Sequence, residues 1–263
     1  MSNITARLTS YWHYLVNVYL RRKNRLLAVF SFIGNKKLMD TIVYVDGYNL
    51  YYGRLRHTSY KWLDPFRLFQ AILKVQDPSS NIIKIKYFTA PVKAKFSSHG
   101  QASVMAQNSY HRALKYIYND QIEIIQGYHT IEKGNPPRYK KPIDKDDRVE
   151  IWNFEEKQTD VNIALHMYRD AVSEKVLQQI LVSNDSDLEL PLKLINEDKP
   201  KITIGLIIPR PKPTGSRGRP TNKSLSQYSH WTRHHILDEE CHQSLLTGMI
   251  PTNKKPILKP EHW

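Results

Sequence analysis

The sequence has very little cysteine, since Cys241 is the only one among 263 residues. A lone cysteine excludes an intramolecular disulfide framework and a cysteine-based zinc cluster, and it is typical of a reducing compartment. We therefore expect a cytoplasmic protein. Long apolar runs are also missing. No stretch approaches the ~20 uninterrupted apolar residues of a membrane-spanning helix, which predicts no stable membrane insertion. No G-x-G-x-x-G motif follows any predicted strand, so no flavin or nicotinamide fingerprint is visible.

Acidic residues are scarce relative to basic ones. The chain has 39 Lys and Arg against 25 Asp and Glu, which gives a formal net charge of +14. This charge favours a polyanionic partner, nucleic acid before membrane. Residues 1–39 contain seven Lys or Arg and no acid. We interpret them as a basic N-terminal extension upstream of a true start at Met39. A basic amphipathic arm and a targeting peptide remain alternatives.

Apolar strand patterns and helical patterns alternate along the chain. The strands are predicted at 42–45, 82–89, 122–125, 179–183 and 202–208. The helices are predicted at 65–73, 97–119, 160–173 and 188–196, the first with Asp64 as its N-cap. Strands separated by helices form βαβ units. The predicted fold class is therefore α/β, a mainly parallel five-stranded sheet with helices on both faces.

The composition changes after residue 208. Residues 209–223 contain four Pro, two Gly, five Lys or Arg and no acid, which is typical of an exposed linker. We therefore predict a domain at 40–208, a linker at 209–224, and a C-terminal helix and tail at 225–263. The predicted helix at 225–246 carries four histidines. His230 and His234, four residues apart, could share a metal ion, although a polar helix face is the simpler interpretation.

Aspartates follow two of the predicted strands. Asp46 ends the first strand, and Asp185 and Asp187 follow the fourth. Asp160 opens the helix that precedes the fourth strand. The carboxyl ends of parallel strands meet at one edge of a sheet, so we expect these four side chains to converge. Such carboxylates need a compensating cation, and Mg²⁺ suits metal-assisted phosphodiester hydrolysis.

Each of these aspartates also has a structural alternative to weigh. Asp160 and Asp187 occupy positions typical of helix N-caps, and Asp46 before Gly47 is typical of a turn. Asp185 has no equally good structural role in the sequence. Three separate sites that all carry aspartate nevertheless favour the metal interpretation.

Three segments together resemble the NYN domains of the PIN-like nuclease superfamily from about residue 40 to 208. They are 44–53 (YVDGYNLYYG), 155–162 (EEKQTDVN) and 183–188 (SNDSDL), in which Asn184 stands where many members have Gly. The resemblance implies a PIN-like sheet, a ribonuclease-type activity on RNA, and Mg²⁺ or Mn²⁺ bound by Asp46, Asp160, Asp185 and Asp187.

The resemblance also gives roles to two polar neighbours of these aspartates. It implies that Asn49 orients Asp46 or contacts the substrate, and the alternative is a side chain that only bonds its own turn. Glu156 would be a further carboxylate of the site. Its alternative is a surface glutamate paired with Lys157 or Lys133.

One branch of the family introduces a different chemistry. The segment 60–64, the loop before Val149 and the pair His230–Trp231 resemble a branch with a member described as a hydroxysuccinoylpyridine monooxygenase. That branch implies NADH-dependent hydroxylation of a pyridine-type aromatic. Three hypotheses therefore remain: a metal-dependent nuclease, a non-catalytic nucleic-acid-binding module, and this hydroxylase.

Basic and aromatic residues are candidates for substrate contact. The loop 133–148 and the segment 209–223 are rich in Lys and Arg that could follow a phosphate backbone, and aromatic rings could stack on bases. Solvated loops and core packing are the alternatives. The residues predicted to bind RNA are Tyr48, Asn49, Arg138, Lys140, Lys141, Arg217 and Arg219, with Tyr51, Tyr52, Tyr139 and Trp152 as further stacking candidates. A homo-oligomer is compatible with the sequence.

Overall fold

The computed structural model describes residues 38–174, 176–213 and 223–263. The predictions made for residues 1–37, and for Arg217 and Arg219, lie outside these ranges. Residues Met39–Trp263 form one compact unit. No helix within the described ranges is both long and apolar enough to cross a membrane.

Among the described residues, six parallel strands form the central sheet, in the order β3-β2-β1-β6-β7-β8. These strands are β1 (Met39–Asp46), β2 (Ser80–Thr89), β3 (Ile122–Gln126), β6 (Gln178–Val182), β7 (Thr203–Ile207) and β8 (Trp231–Arg233). An antiparallel hairpin joins β4 (Tyr128–Gly134) to β5 (Ile151–Lys157), and β9 (Met249–Ile250) pairs with β10 (Ile257–Leu258). The predicted α/β class is confirmed, with one strand more in the main sheet than expected.

Seven helices are described. They are α1 (Gly47–Leu50), α2 (Pro65–Gln76), α3 (Gln101–Tyr118), α4 (Thr159–Val172), α5 (Glu189–Asp198), α6 (Lys223–Gln227) and α7 (Asp238–Gln243). A π-helical turn, Tyr51–Leu55, follows α1, and a 3₁₀ turn, Ser186–Leu188, precedes α5. The predicted cap of α2 is confirmed, because the Asp64 carboxylate accepts a hydrogen bond from the Arg67 amide.

The core has two layers, one on each face of the sheet. Strand β1 alternates between them, as the period of two in a strand requires. Val43 and Val45 belong to the layer that includes residues of α2, α3 and the C-terminal segment, whereas Ile42 and Tyr44 belong to the layer with residues of α4 and α5. Burial on both faces explains the nearly continuous apolar run of β1. It also fixes the carboxyl end of this central strand, where Asp46 lies.

The prediction of one helix over 225–246 was wrong. Short α6 and α7 flank strand β8, which extends the sheet beside β7. The indole of Trp231 packs where a Cβ on Gly205 would lie, 2.2 Å from the nearest ring carbon, so this contact requires glycine. Tertiary packing thus overrides the local helical pattern. His230 and His234 share no helix, and His230 Nδ1 instead accepts a hydrogen bond from the Ile204 amide.

Candidate active site

Asp46 is held at the end of β1 by three hydrogen bonds. Its Oδ1 accepts from the Asn49 backbone amide at 2.9 Å, and its Oδ2 accepts from Asn49 Nδ2 at 2.7 Å and from Ser183 Oγ at 2.8 Å. Gly47 is required next to it, because a Cβ there would lie 2.5 Å from the Phe88 carbonyl oxygen. Burial nevertheless raises the pKa of Asp46 to about 6. The carboxylate is therefore fixed in position while its charge is poorly solvated.

Asp185 and Asp187 lie just beyond β6, which is the neighbour of β1 in the sheet. The Asp185 carboxylate accepts from the Asp187 amide at 3.1 Å and caps the 3₁₀ turn. Asp185 therefore does have the capping role that the sequence interpretation gave to Asp187. Asp187 is inside the turn and exposed. A capping carboxylate still has lone pairs available for a cation.

Asp160 is in the first turn of α4 and does not cap it. The N-cap position is Gln158, which has left-handed backbone geometry, so the predicted capping alternative for Asp160 is not met. Glu156 is on β5 and accepts a hydrogen bond from Thr159 Oγ1. It is not a glutamate paired with Lys157 or Lys133, because these lysines pair with Glu155 and Glu150.

Four of these acids converge on one cleft. Burial, and then the nearby charges of Asp46, Asp185, Glu156 and Asp187 in that order, together raise the pKa of Asp160 to about 7. Four carboxylates acting on a fifth define what we call the carboxylate cluster: Asp46, Glu156, Asp160, Asp185 and Asp187. A cleft of about 370 Å³ is lined by all of them except Asp187, and we call it the carboxylate cleft. Such mutual repulsion is typical of cation-binding and catalytic sites.

The donors in the cleft fit a hard divalent cation. Carboxylate oxygens are the ligands that Mg²⁺ and Mn²⁺ prefer. Within the described ranges, no group of three or more His, Cys, Asp or Glu side chains is arranged to hold a metal ion by itself. Mg²⁺ usually binds one or two protein carboxylates and completes its shell with waters and substrate phosphates. The cleft therefore suits a cation that enters together with a phosphate-bearing substrate.

The predicted RNA-binding residues are only partly brought to this cleft. Tyr48 and Asn49 line it. Arg138, Lys140 and Lys141 lie on the loop between β4 and β5, outside the lining. Arg138 and Lys140 form ion pairs there with Asp147, and Lys140 also pairs with Asp144. The substrate roles of these three loop residues remain predictions.

A second cavity adjoins the carboxylate cleft and shares Tyr48 and Glu156 with it. Its volume is about 360 Å³, and we call it the aromatic cavity. Its rings come from α1 and the π-helical turn, β2, the 3₁₀ turn Ala94–Phe96, α3, the β4–β5 hairpin and the C-terminal segment. They include Tyr48, Tyr52, Tyr87, Phe96, Tyr110, Phe154 and Trp263. Of the further stacking candidates, Tyr51 and Tyr52 line this cavity, whereas Tyr139 and Trp152 lie outside its lining.

Sequence reasoning missed the hairpin and Ser183. Strands β4 and β5 flank a loop, residues 135–150, with three prolines, which is a weak hairpin signal. Neither strand shows a regular alternation of buried and exposed residues that would have indicated it in the sequence. Ser183 is buried and its hydroxyl reaches Asp46 only because β1 and β6 are neighbours. No local pattern in the sequence reveals that contact.

One pH effect on stability follows from the wall of the aromatic cavity. Burial, with a smaller effect of Lys115, lowers the pKa of His111 to about 4. The unfolded chain therefore takes up this proton at higher pH than the folded protein does. Relative to His111→Gln, we expect the unfolding free energy of the wild type to decrease by roughly 2–3 kcal/mol between about pH 7.5 and about pH 4.5.

Urea unfolding at both pH values measures this change. The control is His242→Gln, because the side chain of His242 is exposed. The unfolding free energy of this variant is expected to change between the two pH values as that of the wild type does. A stability difference between wild type and His111→Gln that does not change with pH would contradict the assignment.

The fold and the site together define a class. A parallel sheet with acids gathered at the carboxyl ends of its central strands is a PIN-like, nuclease-type fold. The chain belongs to the NYN domain family, whose model matches residues 40–217. This confirms the family resemblance carried by the three sequence segments.

Two proteins are similar to this chain, one found by sequence and one by structure. A curated relative from Pseudomonas putida (strain DSM 28022 / S16), 6-hydroxy-3-succinoylpyridine 3-monooxygenase HspA, is 35% identical over 242 residues, which cover 86% of this chain and 75% of the relative. A solved structure of a protein of unknown function from Vibrio parahaemolyticus RIMD 2210633 has 18% identity and a TM-score of 0.46, over 80% of this chain and 98% of that one.

Proposed function

We propose that the protein is a metal-dependent ribonuclease that hydrolyses phosphodiester bonds at the carboxylate cleft. The observation that carries the proposal is that Asp46, Glu156, Asp160 and Asp185 line one cleft. Burial there, and next the charges of the other acids, raise the pKa of Asp160. A cation bound in the cleft would offset the repulsion between these carboxylates. The family's nuclease-type fold supports the same conclusion.

The residues of the cluster have distinct tasks in this proposal. Asp46, Asp160 and Asp185, with Asp187 near them, would hold Mg²⁺ or Mn²⁺. The cation would supply an activated water and neutralise the charge of the scissile phosphate. Asn49 and Ser183 keep Asp46 in one orientation through their hydrogen bonds. Asp160 gives up its proton near neutral pH, so cation affinity should increase from about pH 6 to about pH 8.

The test is cleavage of a labelled single-stranded RNA by purified protein at about pH 8 with Mg²⁺, Mn²⁺ or EDTA. We expect cleavage with either cation, none with EDTA, and a loss of at least about 100-fold in Asp185→Asn. The matched control is Asp120→Asn, which removes an exposed acid far along the chain from the cluster and should retain full activity.

Three results would contradict the proposal. Cleavage that persists in Asp185→Asn at the wild-type rate would point to a contaminating nuclease or to another site. RNA binding without cleavage by any variant would favour a non-catalytic binding module. Cleavage in EDTA would remove the cation from the mechanism.

A second candidate function is hydroxylation of a pyridine-type aromatic with NADH. Two observations favour it: the monooxygenase activity named for the Pseudomonas putida relative, and the aromatic cavity beside the carboxylate cleft. Its test is NADH consumption with 6-hydroxy-3-succinoylpyridine, together with an absorbance scan of the purified protein for a bound chromophore. Substrate-dependent NADH oxidation with no RNA cleavage would replace the nuclease by the hydroxylase.

A further inference from the structure

The aromatic cavity has no task in phosphodiester hydrolysis itself. It is as large as the carboxylate cleft and reaches it through the shared residues Tyr48 and Glu156. Its volume of about 360 Å³ is at the lower end of the range of small-molecule sites, about 300–1,000 Å³. A small ligand is therefore the appropriate occupant.

The walls of the cavity present flat rings. Phe154 stacks on His129 with centroids 4.6 Å apart and an interplanar angle of 10°, and on Phe96 at 5.1 Å and 23°. Tyr48 and Tyr52 form a second pair with centroids 4.3 Å apart. Aligned ring faces favour a planar aromatic ligand, which adds to a stack without bending or rotamer cost.

The charges around the cavity favour an anion. Arg56, Lys61 and Lys93 are in the lining, and Glu156 is its one acidic side chain among the described residues. Three lining histidines add hydrogen-bonding groups instead of charge, since burial lowers the pKa of His111, His129 and His262.

Two of these histidines are suited to a polar ring edge. His129 Nδ1 lies 3.1 Å from the Pro91 carbonyl oxygen, which can only accept, so Nδ1 carries the proton and Nε2 is left as an acceptor. His262 Nε2 is buried and has no hydrogen-bond partner within the described part of the chain. A ligand ring that carries polar atoms would satisfy groups that an apolar ring would leave unpaired.

We propose that the aromatic cavity binds the base of a nucleotide, with the attached phosphate directed toward the carboxylate cleft. The inference rests on the proposed function for the position of that phosphate. The base adds to the end of the ring stack that Phe154 forms with His129 and Phe96, with Tyr52 as a further stacking ring. The cavity thereby selects an unstacked base, which means single-stranded substrate.

Binding is tested by titration calorimetry with uridine 5′-monophosphate and Mg²⁺, since this nucleotide has no phosphodiester bond to cleave and the cation offsets the charge of the carboxylate cluster. We expect Phe154→Ala to weaken binding by about tenfold, in line with the loss of one stacking ring. Tyr52→Ala, at a half-exposed position, should act in the same direction. The matched control is Trp152→Ala, which removes an exposed ring from the same strand but outside the cavity lining.

Two further probes identify the part of the ligand that is recognised. Ribose 5-phosphate carries the anion without the ring and should bind at least tenfold more weakly than the nucleotide. Uridine carries the ring without the anion and should also bind more weakly. If ribose 5-phosphate binds as tightly as the nucleotide, or if Phe154→Ala and Trp152→Ala behave alike, the inference is wrong.

The last probe separates the two sources of an aromatic anion. Pyridine-3-carboxylate binding in the absence of nucleotide binding would overturn the nucleotide assignment in favour of a small aromatic acid. Nucleotide binding that depends on Phe154, in a protein that cleaves no RNA, would leave this inference standing while the proposed function fails. RNA cleavage that is unaffected by Phe154→Ala, in a protein that binds no nucleotide, would overturn this inference and leave the proposed function standing.

Discussion

Asp46→Asn is expected to reduce metal-dependent RNA cleavage by at least about 100-fold. Substitution of groups that merely orient a metal ligand typically costs 10–100-fold, and Asp46 is placed to be a ligand itself. The amide has one oxygen in place of two and no charge, so it attracts a divalent cation far less. The measurement is kcat/KM on a single-stranded RNA with Mg²⁺ and with Mn²⁺.

The same substitution should not unfold the protein. Burial raises the pKa of Asp46 to about 6, so ionisation of this carboxyl opposes folding at neutral pH. An asparagine removes that charge, and its amide can still bond Asn49 and Ser183 after the Asn49 amide turns over. We expect an unfolding free energy equal to or above that of the wild type, and RNA binding that persists.

Asn49→Ala is the companion variant, because it removes a group that acts through Asp46. It deletes the side-chain donor at 2.7 Å but keeps the backbone donor and the carboxylate charge. We expect a loss of about 10–100-fold in kcat with less change in KM. Full activity in Asp46→Asn would exclude the carboxylate cluster as the catalytic site, and a lower melting temperature would make its activity loss uninformative.

Trp62→Ala is expected to lower the unfolding free energy by about 3–5 kcal/mol, a large part of the total for a domain of this size. The side chain is fully buried between Tyr110 and Trp263, with ring centroids 5.8 and 6.2 Å away. Its indole N–H donates to the Thr247 carbonyl at 2.8 Å, and its own carbonyl accepts from the Leu246 amide. The substitution therefore removes core volume and leaves the Thr247 carbonyl without its indole donor.

Urea unfolding measures this loss, and Trp152→Ala is the control because that indole is 62% exposed. Removal of the exposed ring should change the unfolding free energy by no more than about 0.5 kcal/mol. The packing of Trp263 on Trp62 also predicts that the C-terminal wall of the aromatic cavity loosens in Trp62→Ala. Equal effects of the two tryptophan substitutions would contradict the structure of this core layer.

Local sequence determined the alternation of elements with good accuracy. Buried parallel strands need continuous apolar runs, and the run at 42–45 and its four successors were identified for that reason. The cap at Asp64 was identified because a side-chain acceptor and a proline at the next position act within one turn. Such features involve residues close in sequence, so their physics can be read without the fold.

Features that depend on contacts between distant residues were lost or misassigned. Strand β8 was mistaken for helix, because its strand state depends on pairing with β7 and on the small size of Gly205 beneath Trp231. The capping role after the fourth predicted strand was assigned to Asp187 but belongs to Asp185, because a two-residue shift of the turn decides which carboxylate faces the free amides.

The sequence by itself determined which acids can act together, since aspartates at strand ends of a parallel sheet must share one edge. It also determined the family, through three segments that each combine a strand end with its acids. Only the tertiary structure decided that Glu156 joins the cluster, that Ser183 orients Asp46, and that an aromatic cavity lies alongside. The reason is physical: strand order, hairpin placement and the path of the C-terminus bring these groups together, and pairing energies between remote segments set all three.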